Sequence, residues 1–176
     1  MDLSKIIVFD TETTGLNADD EILQLSIIDG TGKILFNELL STKNKADWKE
    51  AEAVNHISPE MVKDKKHITE YKAILDKIFN DCESMVGYNI SFDIRMLQQN
   101  GIELPEKKTY DVMKAFSEVM NIPSTKHIGS KKWFKLIDCA RYYNFEKEEN
   151  SAYHDALTDV YATLHCFKKI ESKYYI

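Results

Sequence analysis

The apolar run Ile6-Ile7-Val8-Phe9 ends in Asp10-Thr11-Glu12, and this transition limits what the chain can become. Consecutive apolar residues predict a buried strand, here over residues 5–11. Side chains alternate along a strand, so if it persists to Glu12 both carboxylates leave by one face. Two anions on one face repel unless something positive lies between them.

The 176 residues, 43% hydrophobic and 30% charged, are most simply a single domain spanning 1–176. Cys82, Cys139 and Cys166 lie far apart and form no CxxC pair, which suits buried or free thiols in a reducing compartment. The Ile6–Phe9 run is too short for a signal peptide or membrane span. A cytoplasmic protein without membrane association is the expectation. The net charge of −6 argues against a protein held on nucleic acid by a broad basic surface. It leaves open an acidic pocket loaded with metal, which is locally positive whatever the total.

Further strands are predicted at 21–29 and 32–40, joined by a hairpin at Asp29-Gly30-Thr31-Gly32. Ser58-Pro59 reads as a helix start. Tyr71, Ile74, Leu75, Ile78 and Phe79 have helical spacing within a helix over 68–80. A short strand at 84–88 precedes a helix at 92–100 that Asn100-Gly101 closes. Another short strand ends near Tyr110, and helices follow at 112–119, 132–143 and 155–171. Strands first, then strands alternating with helices, predict an α/β arrangement: a mixed central sheet flanked by helices.

Other charged signals fall at the edges of these elements. In "GYNISFDIRML", Asp93 occupies the first turn of a helix, where an acid also complements the helix dipole. In "YHDALTDVYATLHCF", Leu157, Val160, Tyr161, Leu164 and Phe167 form a core stripe. His154 and Asp159, five apart, differ by roughly 140° on an ideal helix and cannot share a face. If both serve one site, His154 lies at the unwound start of that helix. Asp155 and Asp159 do share a helical face, a mildly destabilising pair without a cation.

Together, "FDTETTGL", "GYNISFD" and "HDALTD" resemble, in order and spacing, the DEDDh 3′–5′ exonucleases, the DnaQ-like family. "ISPEMV" and "KLIDCARYYN" are also similar to that family, and the match covers nearly the whole chain. The resemblance implies a ribonuclease H-like fold. It implies that Asp10, Glu12, Asp93 and Asp159 hold two divalent metal ions, with His154 as general base. Hard carboxylate oxygens agree with Mg²⁺ or Mn²⁺, and nothing suggests a zinc ligand set. The implied reaction removes nucleoside monophosphates from the free 3′ end of single-stranded or frayed nucleic acid, DNA in the first instance. An RNA-directed exonuclease and a non-catalytic nucleic-acid or polymerase interaction module are the alternatives. A DNA polymerase subunit is a candidate partner; with no tail after Ile176 to tether one, a free-standing domain or non-covalent subunit is expected.

By the same resemblance, backbone near Thr13 meets the terminal 3′ hydroxyl and Leu16 wedges between terminal bases. Gly15 lets the substrate approach closely. The bland reading places Leu16 in the core. Asn89 is a candidate substrate contact, and Phe92 is expected in the core. Many relatives have His-Gly before the isoleucine where this chain has Asn55-His56-Ile57, so Asn55 is the candidate nucleotide contact there. The stretch "STKHIGSKKWFK" reads equally as a strand-steering patch, with Trp133 or Phe134 for stacking, or as a solvated loop before an amphipathic helix.

Overall fold

The computed structural model of the chain describes residues 2–127, 129–146 and 155–172. Strand β1 (Ile6–Thr13) runs two residues beyond the predicted end and carries both acids. It pairs antiparallel with β2 (Ile22–Asp29), which pairs antiparallel with β3 (Ile34–Leu39). On its other edge β1 pairs parallel with β4 (Ser84–Gly87), and β4 with β5 (Lys108–Asp111). The mixed five-stranded sheet has the order β3-β2-β1-β4-β5. This is the expected ribonuclease H-like α/β arrangement.

The helices are α1 (Lys49–Asn55), α2 (Pro59–Val62), α3 (Lys72–Asp81), α4 (Ile90–Gln99), α5 (Val112–Met120), α6 (Leu136–Tyr142) and α7 (Ala156–Glu171). A 3-10 turn at Ile68–Tyr71 leads into α3, where one continuous helix is predicted. Helix α1 is unpredicted: its N-cap, Trp48, makes no side-chain cap bond, and its sequence is mostly polar. Trp48 instead donates its indole N–H to the Ile57 carbonyl at 2.6 Å, pinning both ends of this segment. The predicted helix at 132–143 begins only at Leu136, because the preceding residues return from a hairpin in which Pro123 bridges Lys131.

The period of two divides the core. Ile7 and Phe9 pack with Leu75 and Phe79 of α3 and Met96 and Leu97 of α4. Ile6 and Val8 pack with Val160, Leu164 and Phe167 of α7. Asp10 and Glu12 therefore continue the face that α7 covers, and Thr11 the face that α3 and α4 cover. All three cysteines are buried and free. Among the described residues, no helix is long and apolar enough to cross a membrane.

Candidate active site

β1 and α7 bring three carboxylates together. One oxygen each from Asp10, Glu12 and Asp159 lies within 4.8 Å of the others. Asp159 sits in the first turn of α7 and is 8% exposed. Asp93, from the first turn of α4, is 2% exposed. β4 pairs with β1 only through Val8, so the edge of β1 beyond it is open to side chains from α4. Asp93 fills it: one carboxylate oxygen accepts the Thr11 N–H at 3.0 Å and the Thr11 hydroxyl at 2.7 Å.

Burial, then the neighbouring Asp93, Asp159 and Glu12, raise the Asp10 carboxyl well above the ordinary range. Burial, then Asp159, push Glu12 up to about 8, while the Asn55 amide opposes part of the rise. Burial takes Asp93 to about 7 against the lowering effect of its bonds to Thr11. Negative charge is thus costly at this spot without a cation. A divalent ion with a preference for oxygen fits the donor set.

Opposite these acids β2 supplies polar side chains, Ser26 across from Asp10 and Gln24 across from Glu12. Gln24 donates to Asp155 at 2.9 Å and accepts from the Ala156 N–H at 3.2 Å. Asp155 lies just before α7 in extended backbone and accepts from the Thr158 N–H at 3.2 Å. Asp155 is thus the cap of α7 rather than a residue within it, and its charge adds to the rise at Asp10 and Glu12. His154 lies outside the described residues.

Of the other expected site residues, Thr13, Gly15, Leu16 and Asn55 border a cleft of about 610 Å³ lined by residues 11–17, Asp20, Glu50, Ala51, Val54, Asn55 and Phe92, and Asn89 is not among its lining. Thr13 is buried and donates its hydroxyl to the Gly15 carbonyl at 2.7 Å, while its own carbonyl accepts from the Asn55 amide at 3.1 Å. Leu16 is 72% exposed, so the core reading fails; Arg95 holds its carbonyl from two nitrogens at 3.3 Å. At Gly15 the missing side chain makes room for Asp20, whose carboxylate a Cβ would meet at 2.5 Å. Asp20 also accepts from Thr14 at 2.8 Å and from the Asn17 N–H at 2.8 Å, which sets the turn after β1. Asn89 caps α4 in the left-handed region (φ 62°) that asparagine tolerates, with no side-chain cap bond; its N–H reaches Asp111 at 3.1 Å. Phe92, expected in the core, is half-buried with Arg95 over its ring, and borders the cleft.

Sequence reading missed Thr11, Gln24 and Asp20. Thr11 could have been found from the strand period, which turns it away from its acidic neighbours toward the α4 face. Gln24 acts through a partner that tertiary folding alone provides, and Asp20 through partners in its own turn, Thr14 and Asn17.

Comparison with known proteins gives concordant results. The RNase_T family model, described as an exonuclease, matches residues 7–167. An uncharacterized exonuclease, CP81, of Escherichia phage 186 is 30% identical over 168 residues, 90% of this chain and 84% of that protein. Among solved structures, exonuclease X in complex with 5′ overhanging duplex DNA superposes with a TM-score of 0.73 at 21% identity, covering 97% of this chain and 93% of that one. The catalytic unit of Neurospora crassa Pan2 has a TM-score of 0.71 at 18% identity, covering 98% of this chain and 28% of that one. Exonuclease I has a TM-score of 0.71 at 19% identity, with 95% and 40% covered.

Proposed function

This chain belongs to the RNase_T family of DnaQ-like 3′–5′ exonucleases, and from that premise we propose that it shortens single-stranded or frayed DNA from the 3′ end, one nucleoside 5′-monophosphate at a time. The observation that carries the reading is the meeting of Asp10, Glu12 and Asp159 within 4.8 Å, with Asp93 beside them. These four side chains would hold two Mg²⁺ or Mn²⁺ ions. When bound, the ions supply positive charge that favours a water-derived nucleophile and the departing 3′ oxygen.

The chain's own residues do the rest. The terminal nucleotide enters the cleft beside β1, whose volume is within the usual range of about 300–1,000 Å³ for small-molecule clefts. The backbone after Glu12 meets its 3′ hydroxyl. Asn55 keeps that backbone in place through the Thr13 carbonyl. Leu16, exposed and tethered by Arg95, offers an apolar edge to the adjoining base. His154 accepts the proton of the attacking water as the bond from phosphorus to the 3′ oxygen breaks. An imidazole suits that role near neutral pH.

The DNA-bound state of exonuclease X, and a zinc-bound E. coli ExoI complex with single-stranded DNA, support DNA as the first substrate to test. The experiment uses 3′-labelled and 5′-labelled oligonucleotides, as DNA and as RNA, each with Mg²⁺ and with chelator. Metal-dependent release of labelled mononucleotide from the 3′ label, and a shrinking ladder from the 5′ label, are expected. Equal or faster loss of the RNA moves the assignment to an exoribonuclease. No hydrolysis of either leaves a non-catalytic binding module.

A further inference from the structure

We propose that Lys132, Trp133 and Lys135 form a second contact for nucleic acid, which grips the single strand on the 5′ side of the nucleotide being removed. The proposal rests on the exonuclease reading for its substrate, but on different residues.

Charge is segregated here. Between Glu118 and Asp138 the chain has four lysines and no acid, in a protein whose net charge is −6. Lys131 is committed to an ion pair with Glu118. Lys132 and Lys135 are exposed and make no ion pair among the described residues. Trp133, between them, is 65% exposed. The chain's other tryptophan, Trp48, is 5% exposed with its N–H bonded, which is the ordinary state of an indole in a folded protein. An uncovered indole flanked by ammonium groups is the combination that binds single strands, stacking for the bases and charge for the phosphates.

The platform is anchored. The Lys132 N–H bonds the Ile122 carbonyl at 2.8 Å, closing the hairpin. Phe134 packs edge-on against Phe116 at 5.3 Å, and the Lys132 ammonium lies 4.9 Å from the Phe134 ring. Phe134 thus anchors the segment, and Trp133 beside it stays exposed.

Its position suits the substrate. The Phe134 carbonyl accepts the Tyr88 hydroxyl at 2.8 Å. Tyr88 directly follows β4, in the connection that leads through Asn89 into α4 and Asp93. The platform is thus tied to the end of the parallel strands where the carboxylates lie. A strand whose 3′ end occupies the cleft has its remaining phosphates to place, and this is a basic surface at that end of the sheet.

The test compares Trp133→Ala and the double variant Lys132→Gln/Lys135→Gln with the wild type, all with Mg²⁺. One substrate is a long single-stranded oligonucleotide, and the other the p-nitrophenyl ester of thymidine 5′-monophosphate, which fills only the cleft. Trp133→Ala is expected to raise KM for the oligonucleotide about ten-fold, the scale of one lost base stack, with kcat unchanged. The double variant is expected to raise it and to reduce the dependence of log KM on log salt by about 1.4, roughly 0.7 for each lost phosphate contact on a single strand. Hydrolysis of the ester stays at the wild-type level in both. In chelator, where no hydrolysis follows, adding the oligonucleotide quenches wild-type tryptophan fluorescence, and Trp133→Ala loses the quench. Unchanged KM for the oligonucleotide overturns the proposal. So does an equal loss on both substrates, which marks a structural effect. If the wild type hydrolyses neither substrate, the exonuclease reading fails, and the quench still decides the contact.

Discussion

Asp93 accepts two hydrogen bonds from one residue, Thr11, whose N–H and hydroxyl lie 3.0 and 2.7 Å from the same carboxylate oxygen. The bonds span the sheet edge that β4 leaves open and fix Asp93 beside the Asp10 cluster. Thr11→Val keeps the strand and the shape but removes the hydroxyl donor. A hydrogen bond to a charged group contributes about 1.5–3 kcal/mol. The metal-loaded variant should therefore lose about that much stability in denaturant titrations. The Mg²⁺ concentration for half-maximal activity should rise several-fold, and Thr11→Ser should restore both. A Thr11→Val enzyme with unchanged metal dependence would remove Thr11 from the site.

The acids make the metal-free protein sensitive to pH. Glu12 is held at about 8 in the folded chain against an ordinary value of 4.5, first by burial and then by Asp159. A raised folded value means the contribution is fully present below the unfolded value and is lost as pH rises through the folded one. In chelator, Tm should thus fall as pH climbs from 4.5 to about 8, the window set by these two values. Glu12→Gln should flatten the curve and raise Tm at the alkaline end while abolishing hydrolysis. Asp10→Asn should do likewise, since Asp10 is raised in the same direction by burial and its acidic neighbours. Mg²⁺ should restore the alkaline Tm of the wild type only. A large loss of Tm in Asp10→Asn at high pH would give that carboxylate a structural role instead.

Polarity follows from where the cleft lies. If the terminal hydroxyl rests against the backbone after Glu12, a 3′-phosphate has no room and should block digestion. Blunt duplexes should be cut more slowly than single strands, because opening the last pair costs a few kcal/mol. Gel analysis of matched oligonucleotides checks both. Products from a circular single strand would reveal cutting within the chain and contradict an exonuclease.

What could be read from residues alone follows the reach of each signal. The period of two in β1 placed Asp10 and Glu12 on one face, and the stripe from Leu157 to Phe167 set the orientation of α7, because both patterns are local. Asp155 reads from sequence as the first residue of α7 and is its N-cap. Its acceptor role depends on Gln24, 131 residues away, and no local pattern reveals that. Gly15 reads as space for substrate, and its missing side chain also admits Asp20, which reaches it through the turn that both residues build. Helix α1 escaped notice because its stability comes from the Trp48 anchor and the packing of this segment rather than from capping or periodicity. Leu16 reads as a substrate contact from the motif that carries it, and the Arg95 tether on its carbonyl, part of what holds its exposed turn, has no local signal.

The start of α7 carries the last prediction. Gln24 clamps it from both sides, donating to the Asp155 carboxylate and accepting from the Ala156 N–H. His154 precedes Asp155 in sequence, so variants of the clamp and of His154 test whether the two act together. As a general base His154 should contribute about 10²–10⁴ to kcat, so His154→Ala should lower kcat on that scale with KM nearly unchanged. At saturating metal, log kcat of the wild type should rise with unit slope below the pKa of the histidine, ordinarily about 6.5, and level off above it. The limb should vanish in His154→Ala. Gln24→Ala keeps the histidine in the chain but removes the clamp on Asp155 and Ala156, so the limb should persist while the plateau falls about ten-fold, the scale of one misplaced group. Two losses that act through one residue do not add. The double variant should therefore match His154→Ala alone. Stopped-flow single-turnover rates across pH 5–9 would test the set. Additive losses would separate Gln24 from the base, and a His154→Ala enzyme with full activity and an unaltered acid limb would show that the proton goes elsewhere.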